Sequence, residues 1–156
     1  MRPGPIRSVH AQRRALVVMA LLALAGCHRG APKLSADHGW VRLAAVPGRP
    51  AAAYLTIHGG PEPARLVAVE SPSVGSSELH RSMKTGSMVG MQRLDGLDVP
   101  AGGVLSFAPG GNHVMLFGVS PQVKPGQTMR LSIRFEKGQP LTIDASVVGA
   151  GDPAPY

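Results

Sequence analysis

Glycine and proline divide this sequence into short apolar runs, and that division constrains the fold more than any other feature. The 156 residues include 20 glycines and 15 prolines. Turn sequences such as Pro100–Gly103, Pro109–Gly111 and Pro125–Gly126 separate the apolar runs. No window keeps a helical period for more than two turns. Many short strands at this spacing predict an all-β fold, an antiparallel sandwich or barrel.

Nine segments are predicted as β-strands because each is a short apolar or alternating run between turn residues. In residues 128–135 polar and apolar side chains alternate with a period of two, and the turn at 136–139 leads into 141–148. This pattern predicts a C-terminal hairpin. The nine segments are 40–46, 52–58, 65–70, 77–83, 88–94, 104–108, 113–119, 128–135 and 141–148.

The first 26 residues are predicted to be a lipoprotein signal peptide. Four arginines precede an unbroken apolar run at 15–25, which is shorter than the about 20 residues that a membrane-spanning helix needs. The run ends in Leu24-Ala25-Gly26-Cys27, which resembles the bacterial lipobox, where cleavage precedes the cysteine and the thiol receives lipid. A plain secretory signal with a chance cysteine and an uncleaved helical anchor are the alternatives.

Downstream of the predicted cleavage site we expect three parts. Residues 27–38 form a polar tether, 39–148 form a single β domain, and 149–156 form a disordered tail. Cleavage removes four basic and no acidic residues, leaving twelve basic against nine acidic, so the net charge is +3 rather than +7. No basic run carries interleaved aromatic residues, which argues against nucleic-acid binding.

Cysteine use restricts the chemistry further. Cys27 is the only cysteine, so a lipidated Cys27 leaves the domain without a disulfide, a thiolate nucleophile or a cysteine metal ligand. No Gly-x-Ser-x-Gly motif is present, and Asp95 and Asp98 flank a predicted turn rather than forming a carboxylate pair. We therefore expect a protein that is not an enzyme.

Methionine and histidine are concentrated in two short stretches. Four of the five methionines after Cys27 lie between residues 83 and 115, in HRSMKTGSMVGM at 80–91 and GNHVML at 111–116. If 84–87 is a four-residue hairpin loop, His80 pairs with Met91 and both side chains share one face. Opposed Cβ atoms in such a pair are only about 4.5–5.5 Å apart. His113 and Met115 also share a face, because they are two residues apart on a strand.

Imidazole with thioether is a ligand set for Cu(I). Thioether sulfur is soft, so it suits Cu(I) and is a poor ligand for Mg, Ca or Zn. A blue-copper site needs a cysteine thiolate, which this domain lacks. The predicted metal ligands are His80, Met91, His113 and Met115. In the same hairpin Met83 faces Met88, and these two are possible auxiliary ligands; the alternative for all of them is that the methionines only fill the core.

The spacing H-x10-M-x21-H-x-M, formed by those four residues, resembles the periplasmic copper chaperones of the PCu(A)C type. Flanking sequence is similar as well, including Gly39-Trp40-Val41-Arg42, Glu78-Leu79-His80 and Asp95–Gly103. The resemblance covers about residues 39–148. It implies a cupredoxin-like Greek-key β-barrel and one Cu(I) ion held by the four residues.

The resemblance also implies a role and partners. It implies copper delivery outside the cytoplasm, towards the CuA centre of cytochrome c oxidase, alongside a Sco-type thiol protein. We expect a monomer in the periplasm, anchored by lipid, with the outer membrane preferred because His28 stands where an inner-membrane protein carries Asp. A copper-dependent redox protein and a structural lipoprotein without metal are the alternative functions. The family's Met/His-rich tail is missing here, since the chain ends in GAGDPAPY.

The remaining histidines and the tryptophan have simpler interpretations. His58 ends a predicted strand and is expected to be structural or solvent-facing. His28 and His38 fall in the predicted tether. Trp40 is expected to be a core residue.

Overall fold

The computed structural model describes residues 33–85 and 88–156, which form ten β-strands and no helix. The all-β prediction is confirmed for this part of the chain. The strands are β1 (Ser35–Arg42), β2 (Ala51–His58), β3 (Ala64–Glu70), β4 (Ser76–Thr85), β5 (Met88–Leu94), β6 (Leu97–Val99), β7 (Val104–Phe107), β8 (Asn112–Phe117), β9 (Thr128–Phe135) and β10 (Leu141–Val148).

One continuous sheet contains all ten strands. Its order is β5-β4-β8-β2-β1-β10-β9-β3-β6, with β7 paired to β2 beside β8. Every pairing is antiparallel except the one between β1 and β10, which is parallel. The sheet curls into a nearly closed barrel, so one face is enclosed and the other faces outward.

The enclosed face carries the hydrophobic core. In β9, Met129, Leu131, Ile133 and Phe135 are buried while the residues between them are not, as the alternating sequence predicts. Burying one such side chain stabilises the fold by about 1.5–3 kcal/mol. Val114 of β8 is also fully buried. Its neighbours His113 and Met115 therefore point away from the core, because side chains alternate along a strand.

The predicted boundary between the tether and the β domain differs from the structure. The tether was predicted to reach residue 38, but β1 begins at Ser35 because residues 35–37 pair with His58, Ile57 and Thr56 of β2. The chain then bulges between Asp37 and Trp40, where His38 has a φ of 50°. This bulge hides the strand pattern in the sequence, because the extra residues interrupt the alternation.

Strand β6 was not predicted. Its three residues pair with Ala64–Leu66 of β3, and both Leu97 and Val99 are buried while Asp98 between them is exposed. The segment is too short for its alternation to stand out beside Gly96 and Pro100. The expectation that Asp98 flanks a turn is therefore wrong; its carboxylate accepts a hydrogen bond from Arg65 at 2.9 Å.

The turn after β6 is fixed against the end of β2. The Gly59 amide donates to the Gly103 carbonyl at 2.7 Å, and the Gly102 amide donates to the Gly60 carbonyl at 2.8 Å. A Cβ atom on Gly59 would lie 2.0 Å from the Pro100 carbonyl oxygen, so only glycine allows this approach. The contact positions β7 on β2 and thereby the start of β8.

The structure describes the C-terminal end of the chain but not residues 1–32 at the N-terminal end. The predicted signal peptide 1–26 and Cys27 lie outside the described residues. No helix of the described part has both the length and the apolar character needed to cross a membrane. The tail 149–156 was predicted to be disordered, but it contains a turn in which the Gly149 amide donates to Asp152 at 2.6 Å. The Tyr156 ring stands edge-on to His38, with centroids 5.0 Å apart.

Candidate metal centre

The candidate site lies on the outward face of β4, β5 and β8, at one end of the sheet. In the β4–β8 ladder His80 stands opposite His113, and Glu78 stands opposite Met115. The two imidazole rings have centroids 5.8 Å apart and are tilted by 46°. The predicted histidines are thus brought together, on the face opposite Leu79 and Val114 of the core.

His113 is held by the turn between β7 and β8. This turn is closed by the Gly111 amide, which donates to the Ala108 carbonyl at 2.9 Å, and Gly110 has a φ of 80°. Pro109 followed by a glycine with positive φ is the sequence that a type II turn needs. The Gly111 carbonyl then accepts a hydrogen bond from His113 Nδ1 at 3.0 Å. Because Nδ1 carries the proton, Nε2 of His113 keeps the free lone pair.

His80 has the opposite tautomer. Its Nε2 lies 2.9 Å from Oε2 of Glu78, and an ionised carboxylate only accepts hydrogen bonds, so Nε2 carries the proton. In the neutral imidazole Nδ1 of His80 is then the nitrogen with the lone pair. It is buried and has no hydrogen-bond partner, and no other buried side-chain nitrogen or oxygen in the described part of the chain lacks one. An unpaired buried acceptor costs free energy unless a ligand satisfies it.

Glu78 is itself held from two sides. Its Oε1 accepts from Arg93 Nη1 at 3.0 Å, while Oε2 accepts from His80. The hydrogen bond from His80, together with the charge of Arg93, lowers the pKa of Glu78 below its ordinary value of 4.5. Sequence reasoning did not select Glu78. The Glu-x-His spacing was a usable signal, because residues two apart on a strand share a face.

Met91 reaches the same face through a different register from the one predicted. The hairpin was predicted to turn through a four-residue loop that pairs His80 with Met91, but Thr85 pairs with Met88, Ser82 with Met91 and His80 with Arg93. The shift is two residues, which preserves the face of every side chain, whereas a shift of one would reverse it. Met91 is therefore a diagonal neighbour of His80, and it is 63% exposed.

Met115 completes the set. It is half-buried and stands between Glu78 of β4 and Ala52 of β2. The four predicted residues thus lie on one face, with two imidazoles and two thioethers. No group of three His, Cys, Asp or Glu side chains suited to a metal occurs within 33–85 and 88–156. The donor set fits a soft monovalent ion such as Cu(I) and does not fit Mg or Ca.

Of the two possible auxiliary ligands, Met83 is placed otherwise, and the side chain of Met88 lies outside the described part of the structure. Met83 was predicted to face Met88, but it pairs with Gly90, while the backbone of Met88 pairs with Thr85. Met83 lies one position from Ser82 and so points to the face opposite His80, and it is 48% exposed. The register gives Met83 no direct place in the candidate site.

An aromatic pair borders the site on the β2 side. Trp40 was expected in the core, and it is buried, but it lies on the outward face and stacks on Tyr54 with centroids 4.3 Å apart. The Arg42 guanidinium lies 5.1 Å above the Trp40 ring. Ala53, the residue before Tyr54, pairs with Val114, the residue after His113. The pair shields that side from water, and this burial raises the pKa of Tyr54.

The other described histidines form a separate cluster. His38 Nδ1 lies 2.7 Å from Asp37 Oδ1, and His58 Nε2 lies 3.0 Å from Asp37 Oδ2. The hydrogen bond from His58 is the main cause that lowers the pKa of Asp37. All three side chains are largely exposed. The expectation that His58 is solvent-facing agrees with this arrangement.

The sequence is similar to proteins described as lipoproteins. Residues 34–147 match the model of the family described as "Putative lipoprotein LpqE-like". A curated protein of Leifsonia xyli subsp. xyli (strain CTCB07), "Putative lipoprotein Lxx21020", is 31% identical over 138 residues, which cover 81% of this chain and 82% of that protein.

Solved structures share the fold. The copper-bound PCuAC domain from PmoF2 is 27% identical, with a TM-score of 0.62 over 77% of this chain and 96% of that domain. The solution structure of CuI-DR1885 from Deinococcus radiodurans is 30% identical, with a TM-score of 0.59 over 81% of this chain and 85% of that one. The resemblance to the PCu(A)C type and the cupredoxin-like Greek-key barrel are thereby confirmed.

Proposed function

Because this chain belongs to the LpqE-like lipoprotein family, we propose that it is an exported copper chaperone that binds Cu(I) and passes it on. One Cu(I) ion is the cargo, held by His80, Met91, His113 and Met115. Similar solved structures are a copper-bound PCuAC domain and a Cu(I) form of DR1885. The chain has no catalytic role in this proposal; the ion enters and leaves by exchange of ligands.

One observation carries the proposal. Nδ1 of His80 is a buried lone-pair nitrogen without a partner, and it belongs to a ring 5.8 Å from that of His113. Buried side-chain nitrogens in folded proteins nearly always have a hydrogen-bond partner. A bound Cu(I) ion would accept the lone pair of Nδ1 in place of a hydrogen-bond donor. The two nearby thioethers favour a soft ion of this kind.

The exposure of the ligands suits transfer. His113 is 6% exposed, while Met91 is 63% exposed on the edge strand β5. The imidazole and thioether ligands are neutral, so the ion leaves without separating opposite charges. A recipient's ligand approaches from the Met91 side, and the two histidines release the ion last because they lie deeper in the face.

We further propose where the protein works and what it serves. The lipobox-like Leu24–Cys27 and the family's lipoprotein name support a lipid anchor on Cys27 and a monomer at the outer face of the cytoplasmic membrane or on the outer membrane, the latter preferred. The recipient is the CuA centre of cytochrome c oxidase, reached directly or through a Sco-type thiol protein. The PCu(A)C resemblance supports this recipient.

A Cu(I) competition titration tests the site. The chain from residue 28 onward, which contains the ten described strands and the core that they enclose, is titrated against a chromophoric Cu(I) chelator under reducing conditions. We expect wild type to bind one equivalent tightly and the double variant Met91→Ala/His113→Ala to lose it. The matched control, Met83→Ala/His58→Ala, also removes one methionine and one histidine and should bind as wild type does.

Each outcome has a clear meaning. Equal weak binding by wild type and both double variants would reject the copper proposal and leave a structural lipoprotein. Loss of Cu(I) binding in the control variant alone would indicate that Met83 and His58 are ligands instead. Turnover of a substrate by the copper-loaded protein would favour the redox alternative. Mixing the loaded chain with an apo CuA domain and measuring the copper that moves tests the proposed recipient.

The anchor has its own test. Cys27→Ser should move the full-length protein from the membrane fraction to the soluble exported fraction, because a lipidated cysteine is the only proposed attachment. Retention of the variant in membranes would point to the uncleaved helical anchor instead.

A further inference from the structure

We infer that Glu78 is a positioning residue for copper binding: its carboxylate fixes the tautomer of His80 and holds the ring so that Nδ1 serves as the ligand atom. The inference rests on the proposed function.

The Glu78 carboxylate is held between His80 and Arg93. Glu78 and His80 are two residues apart on β4, so their side chains share the outward face. Oε2 of Glu78 is 2.9 Å from Nε2 of His80, and Oε1 is 3.0 Å from Nη1 of Arg93. Arg93 is the partner of His80 in the β4–β5 ladder, so it comes to Glu78 from the neighbouring strand. The carboxylate cannot rotate away from His80 without giving up the second bond.

The position of the Glu78 carboxylate favours one tautomer of His80. A neutral imidazole has one N–H, and either nitrogen can carry it. A carboxylate next to Nε2 favours the form with the proton on Nε2, since a charge-assisted hydrogen bond is about twice as strong as a neutral one. The lone pair then stays on Nδ1, which is the buried atom without a partner. Without Glu78 a fraction of molecules would present an N–H to the ion, and that form cannot bind it.

The contact of Glu78 with His80 is better shielded from water than its contact with Arg93. The Glu78–Arg93 ion pair alone would join β4 to β5, and a bond of that kind would support the hairpin whatever His80 does. The Glu78 side chain is 28% exposed and that of His80 is 16% exposed, whereas Arg93 is 67% exposed. The better-shielded of the two contacts is therefore the one with the histidine, where removal of water strengthens a hydrogen bond.

The experiment compares three variants with wild type, all as the chain from residue 28 onward. Glu78→Ala removes the acceptor, and Glu78→Gln keeps a neutral acceptor of the same shape. Glu70→Gln is the matched control, because Glu70 of β3 pairs with Arg134 of β9 at 3.5 Å and, in the described part of the chain, forms no ion pair with a histidine. Proton–nitrogen NMR of the metal-free protein reports the His80 tautomer when the imidazole is neutral. Cu(I) competition titration reports the affinity, and urea unfolding reports stability.

We expect wild type and Glu70→Gln to show the Nε2–H form of His80, and Glu78→Ala to show a mixture. The Cu(I) affinity of Glu78→Ala should fall by about 10–100-fold, the usual effect of removing a residue that orients a metal ligand. Glu78→Gln should lose less, because its amide oxygen still accepts the hydrogen bond.

Two results would overturn the inference. One is an unchanged tautomer and affinity in Glu78→Ala. The other is a fall in stability alone, with the folded protein binding as wild type does, which would make Glu78 a cross-link. If Glu78→Ala does not fold, Glu78→Gln decides through the same two measurements. A wild-type chain that binds no Cu(I) would reject the proposed function, and the tautomer comparison in the metal-free protein would still decide the role of Glu78.

Discussion

His80 and His113, which are 33 positions apart in the sequence, occupy the same rung of the β4–β8 ladder, with ring centroids 5.8 Å apart. Backbone hydrogen bonds on both strands fix that rung, so the two rings meet without any help from an ion. Each ring has one nitrogen engaged, by Glu78 or by the Gly111 carbonyl, and one nitrogen left with its lone pair. Little needs to be reorganised when an ion binds, and preorganisation of this kind favours affinity.

Replacing Met115 with leucine should weaken Cu(I) binding while leaving the fold intact. Leucine has a volume close to that of methionine, and swaps of this kind usually cost less than about 1.5 kcal/mol of stability. The thioether is lost, however, and we expect the Cu(I) affinity to fall more than about tenfold, or about 1.4 kcal/mol. Chelator competition measures this. Met83→Leu is the control on the opposite face; an equal fall in both variants would contradict the proposed ligand set.

Alanine at Gly59 should destabilise the domain. The added Cβ would lie 2.0 Å from the Pro100 carbonyl oxygen, so the backbone must move and the two hydrogen bonds to the turn at 100–103 must weaken. We expect a loss of about 1–3 kcal/mol, as for an overpacked core site. At Gly90 nothing lies within 4 Å of the new atom, and alanine there should be neutral or slightly stabilising. Urea unfolding of both variants checks the contrast, and equal midpoints would refute it.

Leu131→Ala should cost about 2–5 kcal/mol, because Leu131 is fully buried in the core and its truncation leaves a cavity. Val104 lies on β7 and is 60% exposed, so Val104→Ala should change stability by no more than about 0.5 kcal/mol. Trp40, the single tryptophan, is buried against Tyr54 and gives a fluorescence signal for unfolding. Similar losses in both variants would mean that the core lies elsewhere.

The contribution of Asp37 to stability should disappear in acid. The hydrogen bond from His58 holds the pKa of Asp37 in the folded protein below its ordinary value of 3.8. The unfolded chain therefore binds the proton more readily, and the stabilisation is complete above 3.8 and is lost as the pH falls through the folded pKa. Asp37→Asn should be less stable than wild type near neutral pH by a small margin, since the cluster is exposed. That margin should shrink as the pH falls below 3.8; a constant margin in urea unfolding would contradict the assignment.

The sequence predicted the site's face better than its pairing. Period-two alternation decides which residues share a face, and the four proposed ligands do share one. Which residue pairs with His80 depends on the length of the hairpin loop. A four-residue loop was expected, but the strands continue to Thr85 and Met88. Glycine and serine between them are compatible with either loop, so the local sequence could not choose. The prediction of which face each side chain occupies is the same for both loops, because the two registers differ by an even number of residues.

Other features depend on contacts that no local pattern reveals. The start of β1 at Ser35 is fixed by pairing with β2, and the bulge at His38 breaks the alternation that would have shown it. Trp40 looked like a core residue because it is large and apolar, yet it is buried on the outward face by stacking on Tyr54. The Asp37–His58 contact joins residues that sequence analysis treated as a tether and a strand end.

The parallel pair formed by β1 and β10 has a mechanical consequence. Residues 40–42 of β1 are bonded to β10 on one side and to β2 on the other, so a pull on either chain end loads strands that have neighbours on both edges. The strand that carries Met91, β5, lies at the rim of the sheet and has β4 as its one neighbour in the described residues. Amide protons of β5 should therefore exchange with solvent sooner than those of β1. The strand nearest the proposed membrane tether, β1, is thus paired on both edges, whereas the strand that carries the proposed ligand Met91 is paired on one edge only.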